Sequence, residues 1–262
     1  MAILRVGSGS RVDVGSGTKL DVGVITPAVN YDTLILASSP IAYYKMDETS
    51  GLVMVDSSGN ANDGDYDLPV TLGSTGVTND GGTSVAFTGA AGSFANMKPG
   101  VLDLANFQSP ITIEGWFNTV DTVGPLVAGR GPTGTPIIGV YMGNNGVQAI
   151  DGRILCIIRG NTGPLATLVS PLTYNDGNDH YFAMVMEAMT AVWTLFIDGS
   201  SVITASHGLG NGITTNDPQI AEDAISLGGD PHFSFAGRID NVAIYPTALS
   251  APTVLAHFNA GL

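Results

Sequence analysis

The chain reads as an all-β sandwich or jelly roll. Three observations carry that reading: more than ten short apolar segments rich in β-branched and aromatic residues, Gly, Asn, Asp or Pro at nearly every gap between them, and a single credible helix near the C-terminal end. At 262 residues one such domain can hold almost the whole sequence, because sandwiches of this kind reach about 250 residues as one unit.

Residues 1–30 come first and stand apart. Val6-Gly-Ser-Gly-Ser-Arg-Val-Asp13 is followed by Val14-Gly-Ser-Gly-Thr-Lys-Leu-Asp21 and then Val22-Gly23, an eight-residue period. Each unit predicts a four-residue strand, RVDV or KLDV, after a Gly-Ser-Gly turn. Alternation puts Val12 with Val14, and Leu20 with Val22, on one face, and Asp13 and Asp21 on the other. A flexible Gly/Ser linker has no need of apolar residues held in register. Val6, Val12, Val14, Leu20 and Val22 are therefore read as an assembly arm, and strands so short require a partner surface. Pro27 and the stretch to Tyr31 form the joint to a domain at 31–262.

From Thr33 the strand readings run TLILAS, AYYKM, SVAFTG, ITIEGWFN, PIIGVYMG, RILCIIR, LATLVS, HYFAMVME, VWTLFID, SVITAS, AISLGG and GRIDNVAIY. In RILCIIR, HYFAMVM and VWTLFI both faces are apolar. That implies central strands covered on each side, by a further sheet or by a neighbouring subunit. The helix takes Ser250 as N-cap, carries Pro252 in its first turn, buries Val254, Leu255 and Phe258, and stops at Gly261.

Two distant stretches add a family resemblance: AYYKMDETSGLVMVDSSGNANDG from Ala42 to Gly64, and FAGRIDNVAIYPTALSAPTVLAHFNAG from Phe235 to Gly261. They resemble the opening and closing signatures of laminin G-like domains of the concanavalin A-like lectin and glucanase superfamily. ITIEGWFNTV from Ile111 is similar to that family's central strand, HYFAMVMEAMTAVWTLFIDGSSV from His180 to its hairpin on an Asp-Gly turn, and the pieces keep the family's order. The resemblance spans about Tyr31 to Leu262. It implies a concanavalin A-like jelly-roll sandwich, here with the short N-terminal β-repeat arm and one short C-terminal helix.

Composition narrows the partners. The net charge is −14 with nine scattered Lys and Arg, which argues against nucleic acid, since phosphate binding needs clustered cations. Only 12% of residues are charged and 44% are hydrophobic, against about 25% charged in ordinary soluble domains, so part of the surface is expected to be hidden in an assembly. No apolar run is long enough to span a membrane, and the first residues show no secretory leader. Cytoplasmic synthesis sits awkwardly with a lectin-like domain, whose usual ligands lie outside cells. A bacteriophage virion protein, assembled inside the host and released by lysis, reconciles the two. Cys156 is read as a small buried hydrophobe.

Catalysis finds no support. Glycoside cleavage needs two carboxylates flanking the bond, but the chain has only four Glu, at 48, 114, 187 and 222, and Glu114 is followed on its strand face by Trp116 and Asn118. Glu114 is read as a structural hydrogen-bonding group, and His180, His207, His232 and His257 as isolated surface or interface side chains. No serine elbow, zinc helix or phosphate loop occurs. The stretch DSSGNANDGDYD, Asp56 to Asp67, gathers oxygen ligands of the kind Ca2+ favours. Family members often resemble calcium-dependent lectins, and the resemblance carries Asp56, Asn60 and Asp240 over as metal ligands; the alternative is that they cap turns and hold loops. A sugar site needs an aromatic platform beside amide and carboxylate groups, for which Tyr66, Phe94, Tyr174 and the loop Gly229 to Ser234 are candidates.

The expectation is a non-enzymatic phage virion protein: a head decoration protein, head fibre or tail-associated protein. Its arm would join it to other virion proteins and to copies of itself, as a homo-oligomer with a trimer favoured. The lectin-like domain would face outward toward a host glycan. The competing expectation is a free-standing calcium-dependent carbohydrate-binding protein of bacterial origin.

Overall fold

The computed structural model describes residues 30–101, 110–130, 136–143, 150–159, 165–187, 192–206, 225–229 and 234–262. The repeat positions Val6, Val12, Val14, Leu20 and Val22, together with His207, His232 and most of the Gly229–Ser234 loop, lie outside the described residues.

Two eight-stranded antiparallel sheets face each other. The first contains β1 (Ala42–Tyr44), β4 (Val70–Thr75), β5 (Thr83–Thr88), β7 (Ile111–Asn118), β12 (Asp179–Met186), β13 (Val192–Ile197), β14 (Ser200–Ser206) and β16 (Ala236–Tyr245). Its order is β14-β13-β12-β7-β16-β5-β4, with β1 also on β16. The second contains β2 (Val53–Met54), β3 (Gly64–Asp67), β6 (Phe94–Asn96), β8 (Gly124–Arg130), β9 (Pro136–Met142), β10 (Arg153–Arg159), β11 (Leu165–Thr173) and β15 (Ile225–Leu227). Its order is β11-β10-β9-β8-β15-β6-β3-β2. This is the predicted jelly-roll sandwich.

The strands that are apolar on both faces are buried on both. Phe182, Met184 and Met186 of β12 face the core between the sheets, while Tyr181, Ala183 and Val185 face outward under a helical layer. That layer is α1 (Tyr31–Ala37) with α2 (Ala251–Gly261). The cover on the first sheet is thus a pair of helices rather than a further sheet or a subunit. In β10, Ile154, Cys156 and Ile158 point inward, and Leu155 and Ile157 join Ala128, Tyr141 and Ile150 in a small cluster on the outer face of the second sheet.

Several readings are corrected. TLILAS is helix, not strand: the Asn30 side chain caps it by accepting from Thr33 N–H at 3.3 Å, Asp32 sits in its first turn, and Tyr31 and Ile35 bury one turn apart. The molecule therefore has two helices among the described residues. In α2 the Ser250 cap and Pro252 stand as expected, but Leu255 is 45% exposed and His257 takes the buried position beside Val254. Gly64 to Asp67, grouped with the oxygen-rich loop, is strand β3.

Candidate functional site

Three internal polar networks account for most of the singled-out side chains. The first centres on Glu114, which is fully buried on β7 beneath the helices. Its carboxylate accepts from the Tyr181 and Tyr245 hydroxyls, the latter at 2.6 Å, and lies 3.0 Å from His257 Nδ1. The other ring nitrogen of His257 is 3.1 Å from Ser38 Oγ at the end of α1. Beside it, Trp116 Nε1 donates to Tyr31 Oη and the indole stacks on Phe258. Glu114 is structural as predicted; His257, expected as a surface or interface side chain, is interior, where it links Ser38 at the end of α1 to that carboxylate.

The second network orders the Asp56 loop. One Asp56 oxygen accepts from Tyr43 N–H and Ser58 N–H, the other from Ser58 Oγ and Asn62 N–H. Burial alone would raise this carboxyl, yet these donors outweigh it and hold it below its ordinary value. The Asn60 amide nitrogen donates to the Pro40 and Ile41 carbonyls.

The third network sits at a bulge in β16, between Asp240 and Ala243 in its pairing with β7. The bulge turns consecutive side chains toward the same loop. Asp240 accepts from Val77 N–H at 2.8 Å and Thr78 N–H at 3.3 Å, and Asn241 donates to Thr78 and Asp80. Burial pushes the Asp240 carboxyl up to about 7, the Val77 bond opposing and the Asp80 charge adding to the rise.

These residues do not fit a calcium ion as a set. Four protein donors occupy the roughly four lone-pair positions of Asp56, Asn60 is engaged as a donor, and Asp240 lies under amide donors. Ca2+ requires six to eight oxygens with lone pairs turned to it. Among the described residues, no three His, Cys, Asp or Glu side chains are placed to hold a metal.

One group of side chains that reach solvent together lies on the outer face of the second sheet, on β3 and β6. In β3, Gly64 and Tyr66 point inward and Asp65 and Asp67 outward; in β6, Ala95 points inward and Phe94 and Asn96 outward. The register sets Asp65 opposite Asn96 and Asp67 opposite Phe94. The Asn96 amide nitrogen bridges one oxygen of each carboxylate, at 3.2 Å to Asp65 and 2.9 Å to Asp67. That bridge fixes both carboxylates while leaving their second oxygens and the Asn96 carbonyl as acceptors beside the partly buried Phe94 ring. Hydroxyl donors over an apolar ring face are what a sugar presents. Of the other aromatic candidates, Tyr66 is core and donates to Glu48, and Tyr174 packs edge-on against His180. GDYD and FAN are too short for alternation to mark them as strands in the sequence. Which side lies outward required the sheet order.

A family profile described as the concanavalin A-like lectin/glucanases superfamily matches residues 91–255. Among solved structures, the chain is similar to the binding domain of Paraclostridial Mosquitocidal Protein 1, with a TM-score of 0.61 at 17% identity over 86% of this chain and 52% of that chain. It is similar to the botulinum neurotoxin DC binding domain solved in complex with SialylT, with a TM-score of 0.61 at 11% identity over 87% and 52%. The botulinum neurotoxin type G receptor binding domain gives 0.58 at 12% identity over 84% and 51%. At such identities the likeness establishes the fold, and this chain spans about half the length of each of these structures. A search of curated proteins found no match.

Proposed function

The chain belongs to the concanavalin A-like lectin/glucanase superfamily, and from that premise we propose that it is a non-catalytic, carbohydrate-binding protein of a bacteriophage virion. In this reading residues 1–30 anchor it to the head or tail and to copies of itself, and residues 31–262 display a lectin-like face to host-surface glycan. The observation that carries glycan binding is the outward quartet of Phe94, Asn96, Asp65 and Asp67, an aromatic platform beside acceptors already oriented by one shared amide. The non-catalytic reading is supported by Glu114, the strand glutamate of the family-like motif, which lies beneath two helices with its oxygens engaged. The virion reading is supported by the eight-residue repeat at residues 6–23.

The test is a glycan panel with the intact chain, followed by Phe94→Ala. Binding of a neutral glycan without hydrolysis is expected, weakened about tenfold by Phe94→Ala, since an aromatic contact contributes about 0.5–1.5 kcal/mol beyond its area. The melting temperature should not change. Failure across the panel, or cleavage of the bound glycan, contradicts the proposal. Antibody labelling of intact phage particles tests the virion assignment separately.

A further inference from the structure

His180 lies between two carboxylates with both ring nitrogens engaged. Nδ1 is 2.9 Å from an oxygen of Asp198, and Nε2 is 3.2 Å from an oxygen of Asp176. A neutral imidazole has one N–H and one lone pair, whereas the imidazolium has two donors. Only the protonated ring satisfies both contacts, because in either neutral tautomer a nitrogen lone pair faces a carboxylate oxygen. Around the ring the other neighbours are aromatic. Phe117 of β7, its cross-strand partner, stands 5.7 Å away between centroids, and Tyr174 meets it edge-on at 5.2 Å. On the same strand, Asp179 pairs instead with Arg238 of β16. Among the described residues, Asp176, Asp198 and Tyr174 are the titratable residues that face His180.

The two carboxylates are held unequally. Asp198 opens the turn between β13 and β14. Its second oxygen accepts from Tyr181 N–H at 3.0 Å, and its own N–H donates to Tyr181 O at 3.0 Å. These bonds keep it in place whatever the charge on His180. Asp176 belongs to the connection between β11 and β12, and its side chain is 54% exposed. Apart from His180, its partners are the backbone N–H and side-chain amide of Asn178, two residues on. Those donors, first among the causes, hold its carboxyl below the ordinary value and so keep it ionised. They do not tie it to the sheet.

We propose that His180 is a pH-sensitive clasp between the β11–β12 connection and the β13–β14 turn. As the imidazolium it holds Asp176 and Asp198 together. On losing a proton it keeps Nδ1–H on Asp198, the shorter contact, and turns a lone pair toward Asp176, which swings into water. Burial works to lower His180, but Asp198 and then Asp176 outweigh it and raise it above its ordinary 6.5. The clasp is therefore closed below that value and opens as pH rises through the raised folded one. Gly177 passes the change on. Its N–H donates to Thr119 O at 2.9 Å, and its carbonyl accepts from the Asn118 side-chain amide at 2.8 Å. Val120, 77% exposed, lies against it. Opening loosens the β7–β8 connection together with residues 174–178.

The experiment uses the full chain: an NMR titration of the His180 ring from about pH 5 to about pH 9, with amide protection, corrected for base catalysis, measured over the same range. His180 is expected to titrate above 6.5, and protection at Gly177 and Asn178 to fall severalfold with the same midpoint while β7 holds. Asp176→Asn keeps an acceptor for Asn178 N–H and removes the charge. It should lower the His180 midpoint and abolish the pH dependence at Gly177. A wild-type midpoint at or below 6.5 overturns the clasp. So does a raised midpoint with unchanged protection at Gly177, which leaves an ion pair with no moving part. A fall shared equally by the β7 amides reports global opening and overturns the local device. A fall that persists in Asp176→Asn overturns the part assigned to Asp176.

Discussion

Glu114 is a carboxylate with no access to water, and removing the partners of such a group, or the group itself, is costly. Glu114→Ala would leave the Tyr181 and Tyr245 hydroxyls and one nitrogen of His257 buried without an acceptor. The expected loss is about 3–5 kcal/mol in urea unfolding, whereas Tyr181→Phe, which leaves the carboxylate two partners, should lose about 1 kcal/mol. Asp240 gives a pH dependence. Its folded pKa of about 7 stands above the ordinary 3.8, so the folded state holds this proton more tightly than the unfolded chain, and stability falls as pH rises from about 4 through about 7. His180 acts in the same direction. Burial works to lower it, but Asp198 and Asp176 outweigh that and raise it, so its contribution is complete below the unfolded value and is lost as pH rises through the folded one. The protein should be more stable to urea at pH 5 than at pH 8, and Asp240→Asn should shrink that difference; a flat profile would contradict the buried placement of Asp240. At this scale the sequence showed which residue types were unusual but not which were interior. Nothing local distinguishes His257 from an exposed helical histidine, because its partner Glu114 is 143 residues away.

Most of the longer strands were legible because β-branched and aromatic runs between Gly and Asp-Gly turns leave few alternatives, but β4 (VTLGST) and β8 (GPLVAGR) were missed because Gly and Pro break up their apolar pattern. The first helix was not legible, because TLILAS has the composition of a buried strand. Its local signals were the Asn30 cap and the Tyr31/Ile35 spacing, of which Asn30 and Tyr31 lie before the apolar run. Asn30→Ala should cost about 1 kcal/mol through loss of that cap, read as a lower urea midpoint. Gly261 marks the close approach of α2 to the first sheet: a Cβ there would lie 2.5 Å from the Trp116 ring. Gly261→Ala should therefore push the helix away and cost about 1–3 kcal/mol, with faster amide exchange in α2 than in β7. The short strands β2, β3 and β6 escaped sequence reading because two to four residues do not establish a period. Of these, β3 and β6 carry the face proposed above for glycan.

Among the described residues, the buried apolar side chains fall into three groups: the core between the sheets, the contact of the helices with the first sheet, and the cluster on the outer face of the second. With the first sheet covered by α1 and α2, β3 and β6 of the second sheet present polar groups oriented by the Asn96 amide, and the proposal places the glycan there. Because Asp56 and Asp240 are engaged by protein donors, a chelator should leave both glycan binding and the melting temperature unchanged. The central claim is that this face binds carbohydrate, and the most direct measurement is NMR of the intact chain titrated with the strongest neutral glycan from the panel. The account predicts saturable shifts at the Asn96 side-chain amide and the Phe94 ring. Shifts confined to other surfaces, with Asn96 and Phe94 unmoved, would contradict it.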